Sequence, residues 1–195
     1  MIQPIERAVY TICTLNNDTI RKNFFADDDP TQPIYAAGVL FYRNINNDID
    51  FLMIKTRRRK SYNDTDEPPK IVYEDFGGCI DMNDVDVYHT IAREAQEESN
   101  NVFNADELYD LIVKSPHKFY SHKSKYLLTL VKLTSEYDNI DLSKFGSHEY
   151  HDNIPRTVHW INRELFRDKQ FVSALVNFRI RSFDFFTNVL SSDFQ

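Results

Sequence analysis

Residues 78–101 read GCIDMNDVDVYHTIAREAQEESNN, and the rest of the chain is best understood outward from this stretch. Its second half predicts a helix over 87–100. Either Asp84 or Asp86 can cap the helix start, because an Asp side chain accepts the unpaired N–H groups of a first turn. Apolar side chains recur at helical spacing and form one sector suited to burial against a sheet: Tyr88, Ile91, Ala92 and Ala95.

Three carboxylates lie on a neighbouring sector of this predicted helix, in the string REAQEE at 93–98. Helical geometry brings Glu94, Glu97 and Glu98 onto one face, where their charges repel. A hard divalent cation removes that repulsion, and Mg²⁺ or Mn²⁺ prefers such oxygen ligands. Arg93 lies four residues before Glu97 and can orient its carboxylate. Such strings also occur on ordinary helices, so a solvated acidic face is the alternative interpretation.

A glycine pair stands just upstream of the helix. Gly77 and Gly78 follow a predicted strand over 71–73, in a chain that has only four glycines. Glycine lets a backbone carbonyl turn toward a metal and lets phosphates approach closely. A glycine loop followed by a helix with REAQEE resembles the Nudix box: Gly, five residues, Glu, seven residues, Arg-Glu-apolar-x-Glu-Glu-x-Gly-apolar. The resemblance covers about residues 33–166.

The stretch departs from that box at four points. Asp84 stands where the box has Glu, and eight residues rather than seven separate Asp84 from Arg93. Asn100 replaces the closing glycine, and Asn101 replaces the apolar residue after it. Asn is the next-best residue for the left-handed turn that ends a helix. Asn100 is therefore expected to adopt that conformation, and Asn100→Gly is expected to be neutral or mildly stabilising.

The resemblance assigns roles to residues of this chain. It implies metal ligands with oxygen donors, namely the Gly77 carbonyl, Glu94, Glu97 and Glu98. Arg93 becomes the orienting residue of the catalytic group. A further carboxylate from a later loop is implied as metal ligand or general base, and Glu149 is the candidate. Glu136 and Asp152 compete with it, and Glu94 itself is the remaining choice.

The resemblance also implies a reaction. It predicts a Mg²⁺- or Mn²⁺-dependent hydrolase that cleaves the pyrophosphate bond in a nucleoside diphosphate linked to another group. The substrate stays open among nucleoside triphosphates, dinucleotide polyphosphates, nucleotide sugars, inositol pyrophosphates and mRNA caps, since viral decapping enzymes also carry this box. The alternative is a non-catalytic Nudix fold that binds a nucleotide or a protein partner.

The order of strands and helices around the box predicts an α/β fold, and the resemblance implies a Nudix-like α/β/α sandwich with a mixed β-sheet. Runs rich in β-forming residues predict strands over 8–15, 35–42, 50–55, 71–73, 126–134 and 157–161. Further helices are predicted over 105–114, 163–166 and 171–190. Trp160, in the last of these strands, is expected to belong to the core rather than to stack on a base.

A dense basic run follows the predicted strand over 50–55. Lys55, Arg57, Arg58 and Arg59 are expected to bind substrate phosphates, and capped RNA is a further partner that such a run could hold. A solvated loop that offsets nearby acidic residues is the alternative. The formal net charge of −7 disfavours a wholly basic nucleic-acid surface but leaves room for a local basic groove.

Length and composition suit one folded domain over 1–195, with 1–32 as an N-terminal extension and 167–195 as a C-terminal helix packed on the domain. The two cysteines, Cys13 and Cys79, form no CxxC pair and indicate a reducing compartment. No stretch approaches the roughly 18 apolar residues of a membrane span. A soluble cytoplasmic protein without a membrane partner is expected, and the sequence leaves its oligomeric state open.

Overall fold

The computed structural model describes residues 9–12, 20–26, 29–46, 48–58, 68–137, 139–148, 154–175, 180, 183–191 and 194. It confirms the predicted α/β class: helices cover both faces of a mixed sheet. The strands are β1 Val9–Ile12, β2 Ile20–Phe25, β3 Pro33–Ile34, β4 Ala36–Ile45, β5 Asp48–Arg58, β6 Lys70–Glu74, β7 Phe76–Cys79, β8 Lys118–Ser121, β9 Tyr126–Lys132 and β10 Arg156–Asn162. The α-helices are α1 Val87–Glu98, α2 Ala105–Lys114, α3 Lys169–Ala174 and α4 Phe183–Val189.

The main sheet has seven strands, with β10, β5, β4, β9 and β8 in spatial order. Strand β9 runs parallel to β4, and the other neighbours are antiparallel. The β4–β5 hairpin pairs only near its turn and then splays apart. Strand β6 pairs with the free half of β5, and β7 pairs with the free half of β4. The glycine pair is therefore held inside the sheet.

Two helices cover one face of the sheet. The apolar sector predicted for α1 is confirmed, since Ile91, Ala92 and Ala95 are buried and Tyr88 packs against the same cluster. These side chains meet Leu52 and other apolar side chains of the strands. Of the two candidate caps, Asp84 and Asp86, it is Asp86 that caps the helix, because its carboxylate accepts the N–H groups of residues 88 and 89. Helix α1 is thus fixed with its acidic end beside β7.

The opposite face is covered by the C-terminal helices, and here one prediction is wrong. A single helix over 171–190 does not form, because α3 ends at Ala174 and Leu175 is extended. The backbone of Leu175 bridges Tyr73 of β6, and its side chain is buried. A sheet contact at this position excludes the helical backbone. Phe185 and Val189 of α4 are buried as their spacing predicted, while Phe178 lies outside the described residues.

Other boundaries differ from the sequence-based expectations. Strand β8 was not expected, and the segment over 163–166 is a 3-10 turn, Arg163–Arg167, rather than an α-helix. Strands β1 and β2 lie in the expected N-terminal extension and form a small sheet with β3. In the part of the chain that the structure describes, every helix is too short or too polar to cross a membrane.

Candidate active site

The glycine pair and the acidic end of α1 are in direct contact. The prediction that Gly77 and Gly78 form a loop is wrong, because both lie in β7 and pair with β4. The Gly77 N–H donates to Glu98 Oε2 at 2.6 Å, and a Cβ added at Gly78 would overlap the Glu94 carboxylate. The absence of side chains on β7 lets the carboxylates of the helix reach its backbone.

Arg93 holds this acidic end together. Its guanidinium donates to Glu94 at 2.8 Å, to Glu97 at 3.2 Å and to the Cys79 carbonyl at 3.0 Å. Two further bonds of 3.0 Å reach the two oxygens of Asp84. The expected pairing of Arg93 with Glu97 is confirmed. Burial opposes the charge on Arg93, but Asp84 and Glu94 outweigh this effect and raise its pKa above the ordinary value.

Asp84 supports the loop that precedes α1. Its carboxylate is buried and accepts the Asp81 N–H and the Thr90 hydroxyl, each at 2.8 Å, besides the two bonds from Arg93. Burial works against ionisation, yet the bonds from Arg93, Asp81 and Thr90 prevail and hold the pKa of Asp84 below its ordinary value. The shorter acid and the extra loop residue therefore still produce a closed network around Arg93.

The three glutamates differ in exposure. Glu98 is 5% exposed, whereas the side chains of Glu94 and Glu97 are 13% and 36% exposed. Among the described residues, no three acidic, histidine or cysteine side chains already surround a metal position. Arg93 draws Glu94 and Glu97 toward itself, while Glu98 turns to Gly77. The donor chemistry nevertheless fits a hard divalent cation, since all three side chains supply carboxylate oxygens and those of Glu94 and Glu98 lie against β7.

Glu74 is a residue of this region that the sequence did not single out. It is 2% exposed on β6, and both of its oxygens accept from Arg58 Nε at 2.9 Å. Arg58, Glu74, Glu98 and Arg156 line a small cavity of about 10 Å³. The signal for Glu74 was weak, because a single acid at a strand end is common on protein surfaces. Its burial depends on β6 filling the gap beside β5.

The basic run does not act as one group. Side chains alternate along β5, so Arg58 shares the α1 face with Ile54, while Lys55 and Arg57 project from the opposite face. There the Lys55 ammonium lies 5.8 Å from the centre of the Tyr73 ring, and Arg57 is exposed. Arg59 lies outside the described residues. Of the predicted phosphate-binding residues that the structure describes, only Arg58 is on the face of the acidic helix.

Asn100 ends the helix as predicted, and its side chain also forms hydrogen bonds with the loop before β10. Its φ of 54° confirms the left-handed conformation. Its side-chain amide donates to the Phe145 carbonyl at 2.5 Å and to the His148 carbonyl at 3.3 Å, while its oxygen accepts from Arg156 at 3.4 Å. Asn100 therefore links the end of α1 to the loop before β10.

Two other expectations concern this loop and the strand after it. Glu149 and Asp152 lie outside the described residues, and Glu136 belongs to the short turn Ser135–Tyr137. The role of general base therefore remains a prediction for each of them. Trp160 packs against the apolar cluster under α1, with the Arg43 guanidinium 3.9 Å from its ring centre. The ring is partly buried, so Trp160 packs at the edge of the core rather than inside it.

Comparisons with known proteins give structural similarity only. The sequence matches no protein-family model and no curated protein. Similar solved structures include an Ap4A hydrolase of C. elegans in a binary complex, with 17% identity, 72% of this chain and 88% of that chain covered, and a TM-score of 0.39. The MERS1 protein of T. brucei in its apo form has 14% identity, 70% and 60% coverage, and a TM-score of 0.44. The NUDIX domain of Shewanella oneidensis NrtR with ADP ribose has 13% identity, 70% and 79% coverage, and a TM-score of 0.36. At these values the similarity does not assign the chain to a family.

Proposed function

We propose that this chain is a divalent-metal-dependent hydrolase of the Nudix type, which cleaves a pyrophosphate bond in a nucleoside diphosphate linked to another group. The observation that carries the proposal is the contact between Glu94 and Glu98 and the glycine pair of β7. A carboxylate face against side-chain-free backbone can receive both a cation and the phosphates that it binds.

In this proposal Glu94, Glu97, Glu98 and the Gly77 carbonyl hold Mg²⁺ or Mn²⁺. The bound ion would neutralise pyrophosphate oxygens and lower the pKa of an attacking water. Arg93 keeps Glu94 and Glu97 oriented on the helix, at 2.8 and 3.2 Å. A carboxylate would accept the proton from that water. Glu149 is proposed for that role, and Glu94 or Glu136 is the next choice.

The substrate proposed is a small nucleotide with a pyrophosphate linkage, and capped RNA is a further possibility within the same chemistry. Arg58 is the described basic residue best disposed to meet substrate phosphates, since it lines the small cavity beside Glu98. It is already paired with Glu74 at 2.9 Å, so phosphate would compete with that carboxylate.

A non-catalytic binding module is the second candidate, and one observation favours it. Arg93 already satisfies Glu94 and Glu97, and no three potential metal ligands are gathered among the described residues. A protein of this kind would bind a nucleotide or a protein partner and release it unchanged.

A screen of pyrophosphate-containing compounds with Mg²⁺ and Mn²⁺, with products identified by mass, tests the proposal. Glu97→Gln and Glu98→Gln should each lower turnover at least ~10²-fold, by analogy with losing an electrostatic stabiliser. Gln preserves the volume of the side chain and can still accept the Gly77 N–H, so the fold should persist. Glu164→Gln, on a surface ion pair with Arg167, is the matched control and should keep wild-type turnover.

Two results decide against hydrolysis at this site. Near-normal turnover in both Glu97→Gln and Glu98→Gln would contradict the assignment of these residues as metal ligands. Binding of a nucleotide with no product from any compound, in either metal, would favour the binding module. Thermal unfolding of each variant accompanies the assay, so that loss of fold is separated from loss of chemistry.

A further inference from the structure

A cleft of about 400 Å³ opens where β5 ends and β10 begins. Lys55 and Arg57 of β5, Ile71 of β6, and His148 and Pro155 of the loop before β10 are among the residues that line it. This volume lies within the range that holds a small-molecule ligand, which is roughly 300–1,000 Å³. The cleft is thus large enough for a nucleotide-sized compound.

The charged side chains in the described lining of the cleft are all positive. Its described lining contains Lys55, Arg57 and Arg156 but no carboxylate. Within the described part of the chain, Lys55 and Arg57 form no ion pair with an acidic residue, and Lys55 meets only the face of the Tyr73 ring. The positive charge of Lys55 also reaches His159, where it adds to burial in lowering the histidine pKa. In a chain of net charge −7, a local positive cleft is a distinct feature.

The wall of the cleft is held by hydrogen bonds. The Thr56 hydroxyl donates to the Pro155 carbonyl at 3.0 Å, and the Arg156 N–H donates to the Ser147 carbonyl at 2.9 Å. His148 and Pro155 form a β-bridge, and the Asn100 amide donates to the His148 carbonyl. A cleft whose wall is already fixed loses less entropy when a ligand enters.

The cleft borders the small cavity beside Glu98, because Thr56 and Arg156 line both, but its two exposed-face cations point away from the acidic helix. Because side chains alternate along β5, Lys55 and Arg57 project from the face opposite α1. The carboxylates of Glu94 and Glu98 lie on the α1 side, against β7. An anion bound by Lys55 and Arg57 would therefore not share its position with the proposed metal.

We infer that this cleft is a second anion site, which binds the phosphate groups of a nucleotide-sized molecule through Lys55 and Arg57 without a metal ion. Two cations on one strand face match the charge of adjacent phosphates. Ile71 and Pro155 supply apolar surface for the remainder of the ligand. The site adjoins the hydrolytic centre proposed above, but Lys55 and Arg57 lie on the other face of β5 and need no metal ion to bind an anion.

Calorimetry with inorganic tripolyphosphate in EDTA tests this site. The wild-type chain should bind one tripolyphosphate, and the dissociation constant should rise with NaCl concentration. Lys55→Ala and Arg57→Ala should each weaken binding about tenfold, the effect of losing one charged hydrogen bond. Arg57→Lys should retain most of the affinity. Arg167→Ala, in the 3-10 turn that follows β10, is the matched control and should bind as the wild type does.

A Glu98→Gln variant distinguishes tripolyphosphate binding in the cleft from binding at the acidic end of α1. Unchanged tripolyphosphate binding in this variant supports two sites, whereas an effect of Glu98→Gln as large as that of Arg57→Ala overturns the inference. No binding by the wild type, or equal binding by Arg57→Ala, also overturns it. Tighter, Arg57-dependent binding of a single-stranded RNA would replace the small molecule as ligand. Because no metal is present, a failure of hydrolysis leaves these results unaffected.

Discussion

Asn100 illustrates how one side chain can join two parts of the molecule. Its backbone has the left-handed conformation that glycine adopts most easily, yet its amide bonds to the carbonyls of Phe145 and His148. A Cβ at Gly146 would overlap this amide, so Gly146 leaves the room that Asn100 uses. The expectation that glycine would serve equally well at position 100 considered only the backbone.

Asn100→Gly should therefore destabilise the protein by about 1–2 kcal/mol, because three side-chain hydrogen bonds are lost while the backbone conformation stays accessible. Chemical denaturation measures the free energy of unfolding, and hydrogen exchange should become faster at the amides of 145–148. Asn101→Gly is the matched control, since Asn101 is exposed and has a φ of 61°. Wild-type stability in Asn100→Gly would contradict the proposed link.

The lowered pKa of Asp84 predicts how the free energy of unfolding depends on pH. Its folded-state pKa lies below the ordinary 3.8, so its ionised form stabilises the fold above that value. The contribution disappears as the pH falls through the folded-state pKa. Asp84→Asn should lower the free energy of unfolding by about 2 kcal/mol at pH 7, and the difference from wild type should shrink in acid.

Urea titrations of both proteins between pH 7 and pH 2.5 measure this difference. Asp110→Asn, which removes one partner of an exposed pair with Lys114, is the control and should change stability little throughout. A difference between Asp84→Asn and wild type that is constant with pH would show that the carboxylate charge does not contribute.

At the scale of elements, the glycine pair is positioned where the chain passes from β6, which pairs with β5, to β7, which pairs with β4. This passage is called the crossing. Asp75 lies at this crossing, fully buried, and accepts the Tyr126 hydroxyl at 2.5 Å. A Cβ at Gly38 would overlap this hydroxyl, the Asp75 carboxylate and the Phe76 carbonyl. Gly38 thus lets two strands and a buried carboxylate approach closely, and β7 is set under α1.

Gly38→Ala should destabilise the fold by ~1–3 kcal/mol or more, as overpacking of a fixed interior does. The neighbouring atoms include backbone, which cannot turn aside as a flexible side chain would. Thermal unfolding measures the effect. Asn44→Ala, at the exposed end of the same strand, is the control and should unfold near the wild-type temperature. An unchanged midpoint in Gly38→Ala would contradict the crowding at the crossing.

At the scale of the whole molecule, the sheet is covered on both faces by chain segments far apart in sequence. Helices α1 and α2 bury one apolar cluster, and the C-terminal segment buries the other. Phe185 of α4 is fully buried, with ring contacts of 5.8 Å to Phe119 and 5.9 Å to Phe166. The last part of the chain therefore contributes to the core.

Phe185→Ala should cost about 3–5 kcal/mol, because it removes a large buried ring and leaves a cavity. The free energy of unfolding from denaturant titration measures this loss. Thr187→Ala, exposed on the same helix, is the control and should have a small effect. A loss below 1 kcal/mol in Phe185→Ala would mean that α4 is not part of the cooperative fold.

The sequence by itself determined the features that depend on neighbours along the chain. Helix α1, its buried sector and the pairing of Arg93 with Glu97 follow from spacing within a few turns, while the left-handed Asn100 followed from its place at the closing glycine of the Nudix box that this stretch resembles. Such patterns can be recognised in a sequence because residues three and four apart lie on the same face of a helix. The α/β class follows from the order of these segments.

Tertiary structure alone decided which distant segments meet. It divided the basic run between two faces of β5, buried Glu74 beside Arg58, and ended α3 where Leu175 joins Tyr73. It also turned the glycine pair from an expected loop into a strand under the acidic end of α1. Sheet order and the pairing of distant strands depend on packing between residues far apart in the chain, so the spacing within one segment does not determine them.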